Sequence, residues 1–334
     1  MGDTAIQEAK QRIRTAWKNG GFEFPNNAGI VINLAPADVR KEGSAFDLPM
    51  ALGMYITSEK IEDTQLNDAL FVGELALDGT LRHTPGILPL AIFAKEHGYK
   101  RLFVPKINAR EASVITDIEI YPIETFRDII QHITGASHIQ PIPPIDLKTL
   151  KTHASYESDM SYIKGQEYAK RALEIAAAGA HNILLSGPPG SGKTLLARSF
   201  PSILPTMTEA EIIEVTKIYS VAGLLPTETP LITTRPFRTP HHSASAVALV
   251  GGGKIPKPGE ISLAHRGVLF LDEFPEFPRL VLENLRQPLE DGLITVSRAQ
   301  GTVTFPARFT MIASQNPCPC GYATDPEKQC LCSP

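Results

Sequence analysis

Gly187, Pro188, Pro189, Gly190, Ser191, Gly192, Lys193 and Thr194 follow one another in the order G-x-x-x-x-G-K-[ST]. That is the spacing of a loop that cradles phosphates. Glycines let such a backbone curl until its N–H groups point inward, and the helix that follows adds partial positive charge to the same anion. Lys193 is expected to reach the β- and γ-phosphates, and Thr194 to place its hydroxyl on Mg²⁺. Downstream, Gly267-Val268-Leu269-Phe270-Leu271 runs into Asp272 and Glu273. A hard cation such as Mg²⁺ takes oxygen ligands, which suits Asp272. Glu273 is suited to polarise an attacking water. A third apolar run, Phe309 to Ala313, leads to Ser314-Gln315-Asn316-Pro317. Asn316 is expected to orient that water and sense the γ-phosphate; its alternative is a turn-forming Asn before Pro.

A second chemistry is written at the end of the chain. Cys318, Cys320, Cys330 and Cys332 form two C-x-C pairs, and they are all the cysteines the sequence has. Four thiolates suit tetrahedral Zn²⁺, although C-x-C is tighter than the usual C-x₂-C. Unligated thiols in a mobile loop, or a redox or iron–sulfur role, stay open.

The elements that must carry these residues follow from periodicity. Ile183-Leu184-Leu185-Ser186 reads as a buried strand, and Leu195 onward as a helix. The acid pair and Asn316 stand at the C-terminal tips of two more strands, the edge at which open α/β sheets bind ligands. A helix is expected from Gln166 to Ala178. A hairpin is expected over Leu293–Arg298 and Thr302–Phe305. In the first half, a helix spans Ala5–Trp17 and a strand Ile30–Leu34. A helix covers Phe46–Ile56, and a hairpin turns at Asp78-Gly79. Helices at 85–96 and 124–133 alternate with strands at 101–104 and 119–123. Residues after Gly135, rich in Pro, His, Ser and Thr, read as a linker.

Composition excludes several classes. The chain has 334 residues, 43% hydrophobic and 20% charged, enough for two domains with cores of their own. Apolar runs fall short of the roughly 18 residues of a membrane span, and the N-terminus is not signal-like, so the cytoplasm is expected. A net charge of −4 announces no nucleic-acid binder; any polynucleotide must meet a local basic surface.

With Ile163-Lys164-Gly165-Gln166-Glu167 ahead of the first strand, the chain resembles the AAA+ ATPases. Within them it resembles the magnesium-chelatase-like branch, and there the YifB/ComM family. The carrying stretches are the phosphate loop, Arg235-Pro236-Phe237-Arg238-Thr239-Pro240-His241-His242-Ser243, the run from Ala264 to Glu273, and Asn316 to Tyr322. In the first half they are Phe22-Glu23-Phe24-Pro25 and Lys41 to Pro49. The resemblance implies α/β and α+β architecture. Residues 1–135 would form an α+β domain like the Lon peptidase domain, short at its N-terminus. Residues 136–159 would be a linker, and 160–334 a parallel α/β AAA+ core that stops before its arginine finger and helical lid. Nucleotide hydrolysis by the chain alone is then expected to be poor. Ala45 falls where the Lon nucleophilic serine would be, and Leu88 at its general-base lysine, so proteolysis is not expected.

The resemblance further implies ATP and Mg²⁺ as cofactors, with Gly165 and Gln166 at the nucleotide. It also implies a homo-hexameric ring acting on DNA, a branch-migration helicase that recombines incoming DNA during natural transformation. Two readings compete with this: a motor that remodels a protein partner, as in magnesium chelatase, and a non-hydrolysing regulatory scaffold. The segment from Tyr219 to Glu260 and the hairpin at 293–305 are expected to project toward a pore. There Lys254, Lys257, Arg298 and Arg308 are candidates for sequence-independent contacts to DNA phosphates, each against the plainer reading of a solvated charge. His241 and His242 are expected on opposite faces of an extended segment in a structural role, and His265 and Arg266 at a subunit boundary.

Overall fold

The computed structural model describes residues 4–25, 29–33, 43–62, 66–147, 156, 158–226, 229–253, 256–298, 301–323, 328–330 and 332. Two compact units divide the chain. One comprises Met1–Thr149 with Ser220–Leu231, the other Leu150–Tyr219 with Ile232–Pro334.

In the first unit, α1 (Thr4–Asn19) buries Ile13, Ala16 and Trp17 on one side. Strands β1 (Ala69–Phe71), β4 (Arg101–Pro105) and β5 (Glu119–Ile123) form a parallel sheet in the order β1-β4-β5. Its faces are covered by α2 (Asp47–Glu59), α3 (Ile87–Glu96), α4 (Lys106–Ala112) and α5 (Phe126–Ile133). Thr125 starts α5 through a reciprocal capping box with Asp128, a pairing that satisfies two otherwise orphaned N–H groups. The Asp78-Gly79 turn joins β2 (Glu74–Leu75) to β3 (Leu81–Arg82) in an antiparallel pair.

Two expectations shift, and one element is added. No strand forms over residues 30–33, and Val31 is 92% exposed; Leu34 lies outside the described residues. The apolar pattern is present there, but among the described residues no neighbour supplies the ladder that a strand needs. The segment read as a linker from 136 begins as part of the first unit. The Ile142 N–H bonds to the Ile120 carbonyl on β5, and the Ile145 N–H to the Ser113 carbonyl, so the unit runs on to residue 149. The short helix α4 had no sequence signal strong enough to name it.

The second unit is built on β6 (Ile183–Ser186), β7 (Phe237–Arg238), β10 (Val268–Leu271) and β13 (Thr310–Gln315), all parallel, in the order β6-β13-β10-β7. Alternation across the pleat sends Val268 and Phe270 to one face, where they meet Leu173, Leu196 and Phe200. Leu269 and Leu271 go to the other face, with Ile294, Val296 and Phe305. The first face is covered by α6 (Glu167–Gly179) and α7 (Lys193–Ser199). The second is covered by the hairpin of β11 (Leu293–Arg298) and β12 (Gly301–Pro306). A minor pair, β8 (Gly251–Gly252) with β9 (Lys257–Pro258), lies in the stretch between β7 and β10. Gly267 is obligatory at the start of β10: a β-carbon there would lie 2.0 Å from the Pro236 carbonyl oxygen. Helix α8 (Glu209–Ala222) belongs to this unit except for its last three residues, which fall in the first. Among the described residues, no helix is long and apolar enough to cross a membrane.

Candidate nucleotide site

The phosphate loop leaves the tip of β6 and enters α7 at Lys193. Gly190 (φ 79°) and Gly192 (φ 85°) take left-handed backbone conformations that a side chain would strain. Gly192 is the residue immediately before the helix. The loop is tied to the neighbouring strand by the Gly187 N–H, which donates to the Gln315 carbonyl at 3.4 Å.

Because β13 and β10 lie side by side next to β6, their tips converge on the loop. Thr194 Oγ1 donates to Asp272 Oδ2 at 3.0 Å. Asp272 Oδ1 accepts from the Ser314 hydroxyl and, at 3.2 Å, from the Glu273 N–H. Lys193 Nζ donates to Asn316 Oδ1 at 3.2 Å and to the loop's own carbonyls, Gly187 O at 2.8 Å and Pro188 O at 3.0 Å. Gln166 Nε2 reaches the Ser191 carbonyl at 3.4 Å, and Gly165 precedes it with a positive φ of 68°. Lys193, Thr194, Asp272, Asn316 and Gln166 therefore gather around one loop.

Two features mark this loop as built for something besides itself. The Ser191 hydroxyl is buried without a hydrogen-bond partner, one of two such side-chain atoms among the described residues, the other being Ser262 Oγ. Buried polar groups are paired in the great majority of cases. The Lys193 ammonium meanwhile turns onto backbone carbonyls of its own loop, a poor substitute for an anion. Both fit a site made for phosphates and a cation held by Thr194 and Asp272.

Glu273 sits in a left-handed conformation (φ 53°, ψ 47°) just past β10. Its carboxylate pairs with His242 Nδ1 at 3.3 Å. Sequence reasoning missed this partner. The two histidines do not point apart, as an extended chain would require; the segment turns at His242, and the rings lie 4.1 Å apart. The R-P-F-R-T-P-H-H-S run was the available signal, because β7 brings it to the same sheet edge as β10. Ser314 was likewise visible at a strand tip, but its bond to Asp272 is a tertiary fact.

Behind the site, His265 is buried in the unit. Its Nδ1 accepts from the Arg308 N–H at 3.1 Å, so the proton is on Nε2, which donates to Glu214 at 3.2 Å. Burial holds the His265 pKa below its ordinary value. The Arg266 guanidinium, 2.9 Å from Glu214, leads the lowering of that carboxylate, with His265 adding to it. The partners described for this pair, Glu214 and the Arg308 N–H, lie within the chain.

Of the DNA-contact candidates, two have described side chains. Lys257 is exposed in β9, and Arg308 is exposed after β12, its stem against Gly292. Lys254 and the side chain of Arg298 lie outside the described residues. In the first unit, Leu88 is fully buried and the Ser44 hydroxyl donates to Glu74.

All four cysteine sulfurs lie within 4.8 Å of one another. The Tyr322 N–H, with help from Cys318, lowers the Cys320 thiol to about 6.

A phosphate loop at the end of one parallel strand, with an acid at the tip of a nearby one, defines a phosphate-loop α/β protein. The family described as "Magnesium chelatase, subunit ChlI" matches residues 159–334, and "Subunit ChlI of Mg-chelatase" matches residues 1–108. Competence protein ComM of Haemophilus influenzae is 47% identical over 328 residues, covering 97% of this chain and 63% of that protein. YifB of Escherichia coli is 42% identical, covering 99% of this chain and 64% of that protein. The magnesium-chelatase 38 kDa subunit of Cereibacter sphaeroides is 27% identical over 173 residues, covering 47% of this chain and 52% of that protein. The chain belongs to the magnesium chelatase subunit ChlI family, in its YifB/ComM group. It spans a little under two thirds of the length of the first two relatives.

Proposed function

We propose that this chain is the nucleotide-binding part of an ATP-driven ring motor that acts on DNA, promoting branch migration when incoming DNA is recombined. The observation that carries the ATPase half is the convergence of Lys193, Thr194, Asp272, Ser314 and Asn316 at three parallel strand tips. Lys193 would exchange the loop carbonyls for phosphate oxygens, and the Ser191 hydroxyl would gain a partner. Thr194 and Asp272 would hold Mg²⁺, which when bound neutralises charge on the phosphates. Ser314 keeps the Asp272 carboxylate oriented. Glu273, once released from His242, would polarise water, with Asn316 positioning it.

The DNA half rests on the similarity to a competence protein. A protein cargo is the competing reading. It is favoured by the net charge of −4. One experiment decides: the ATPase rate of a protein containing this chain, with and without branched DNA, at low and moderate salt. Stimulation that falls steeply with salt is expected of a DNA motor. A rate indifferent to DNA sinks that reading and favours protein cargo.

A further inference from the structure

The cysteine cluster is unused by the nucleotide chemistry, yet it lies against the loop that performs it. We propose that Cys318, Cys320, Cys330 and Cys332 bind one Zn²⁺ as four thiolates, and that this site braces the phosphate loop. The bracing half rests on the nucleotide reading above; the metal half does not.

The sulfur spacings are close to those of four ligands around one ion, all four lying within 4.8 Å of one another. Cys318 Sγ lies 3.3 Å from Cys320 Sγ and 3.6 Å from Cys330 Sγ, and the Cys320–Cys330 separation is 3.6 Å. Four sulfurs at the Zn–S distance of about 2.3 Å stand about 3.8 Å apart. A disulfide would bring a pair to about 2.05 Å. A shared cation accounts for four sulfurs, drawn from two separate C-x-C pairs, meeting at one point. Backbone amides are aimed at the sulfurs as well. The Cys332 N–H points at Cys330 Sγ at 3.4 Å, and the Tyr322 N–H at Cys320. Amide donors of this kind stabilise thiolate charge and orient metal ligands.

The tie to the loop is steric and covalent. Gly321, with φ 82° and its N–H on the Cys318 carbonyl at 2.9 Å, closes the first C-x-C turn. A β-carbon on Gly321 would lie 2.7 Å from Pro189 Cδ, so this turn packs directly on the phosphate loop. Cys318 stands two residues after Asn316, whose Oδ1 holds Lys193. Fixing the sulfurs fixes both the Pro189 side of the loop and the strand tip facing it.

The test uses the full chain, purified with its thiols reduced. Elemental analysis should give one zinc per chain, and Cys318→Ser and Cys330→Ser should each abolish it. Cobalt exchanged into the protein should show the absorption of tetrahedral tetrathiolate coordination. Absence of stoichiometric zinc, or iron in its place, overturns the metal assignment. Stripping zinc from the wild-type chain should weaken binding of a fluorescent ATP analogue about tenfold, as lost preorganisation does, and zinc added back should restore it. Far-UV circular dichroism, recorded in parallel, shows whether the stripped chain is still folded. Affinity unchanged by stripping refutes the brace. Lys193→Ala separates the two readings, because it should abolish nucleotide binding and keep one zinc per chain.

Discussion

Each unit carries a buried or half-buried polar cluster beside a parallel sheet, and the two clusters are finished to different degrees. In the first unit, Glu111 is 4% exposed and fully engaged. It accepts from the Leu88 N–H at 2.9 Å, from Asn108 Nδ2 at 3.1 Å, and from the Ser220 hydroxyl. Asn108 in turn accepts from the Thr84 N–H and donates to its carbonyl. Every group has a partner inside the protein, and the cluster pins the start of α3 to α4. In the second unit, the Ser191 hydroxyl lacks a partner and Lys193 bonds to its own loop. The first cluster is closed by its own groups, whereas the second offers a hydroxyl and an ammonium that a phosphate would satisfy.

That contrast can be broken by mutation. Lys193→Ala should produce the largest change, a loss of ATP hydrolysis of about 10²–10³-fold, because it removes charge stabilisation at the phosphates. Its melting temperature should barely move. A steady-state rate within threefold of wild type would contradict the assignment.

Glu111→Ala should do the reverse. Removing one acceptor leaves the Leu88 N–H, one Asn108 amide hydrogen and the Ser220 hydroxyl without their partner, a cost of about 3 kcal/mol. Denaturant unfolding of the first unit should register this, while nucleotide affinity of the folded protein stays as it was. An unchanged midpoint would show that the network is not structural.

Ser191→Ala separates the clusters at a finer scale. Deleting an unpaired buried hydroxyl should leave stability within about 0.5 kcal/mol of wild type, or raise it. Nucleotide affinity should fall a few-fold. A clear loss of stability would mean the hydroxyl already has a partner.

The smallest effect is in pH. Burial lowers His265, so the folded state disfavours its proton, and stability present above the ordinary pKa of 6.5 is lost as pH falls below it. Glu214 is lowered from 4.5 by Arg266 and His265, and its contribution fades further down, as pH drops through its folded value. Glu214, Arg266 and Arg308 are the charged groups acting on the ring. The melting temperature should therefore decline from pH 7 toward pH 5, and His265→Gln should flatten that decline. An equal slope in both proteins would remove His265 from the account.

These comparisons also show what a sequence can disclose. The phosphate loop and Asp272 were legible because their chemistry needs fixed residue types at fixed spacing, next to an unmistakable buried strand. The partner of Glu273 was not, since His242 reaches it only through the adjacency of β7 and β10, thirty residues apart in the chain by rough count. The Glu111 network was hidden for the same reason: its members come from three separate segments. Residues 30–33 carry a strand's composition without a strand's neighbour. The tail after Gly135 has a linker's composition, yet Ile142 finds one on β5.

The most direct trial is calorimetric titration of ATP into the chain, with and without Mg²⁺, for wild type and Asp272→Asn. If Thr194 and Asp272 share a cation beside the phosphates, Mg²⁺ should tighten binding to the wild type, and the substitution should erase that gain. A magnesium effect that survives Asp272→Asn intact, or the absence of ATP binding by the wild type, would contradict it.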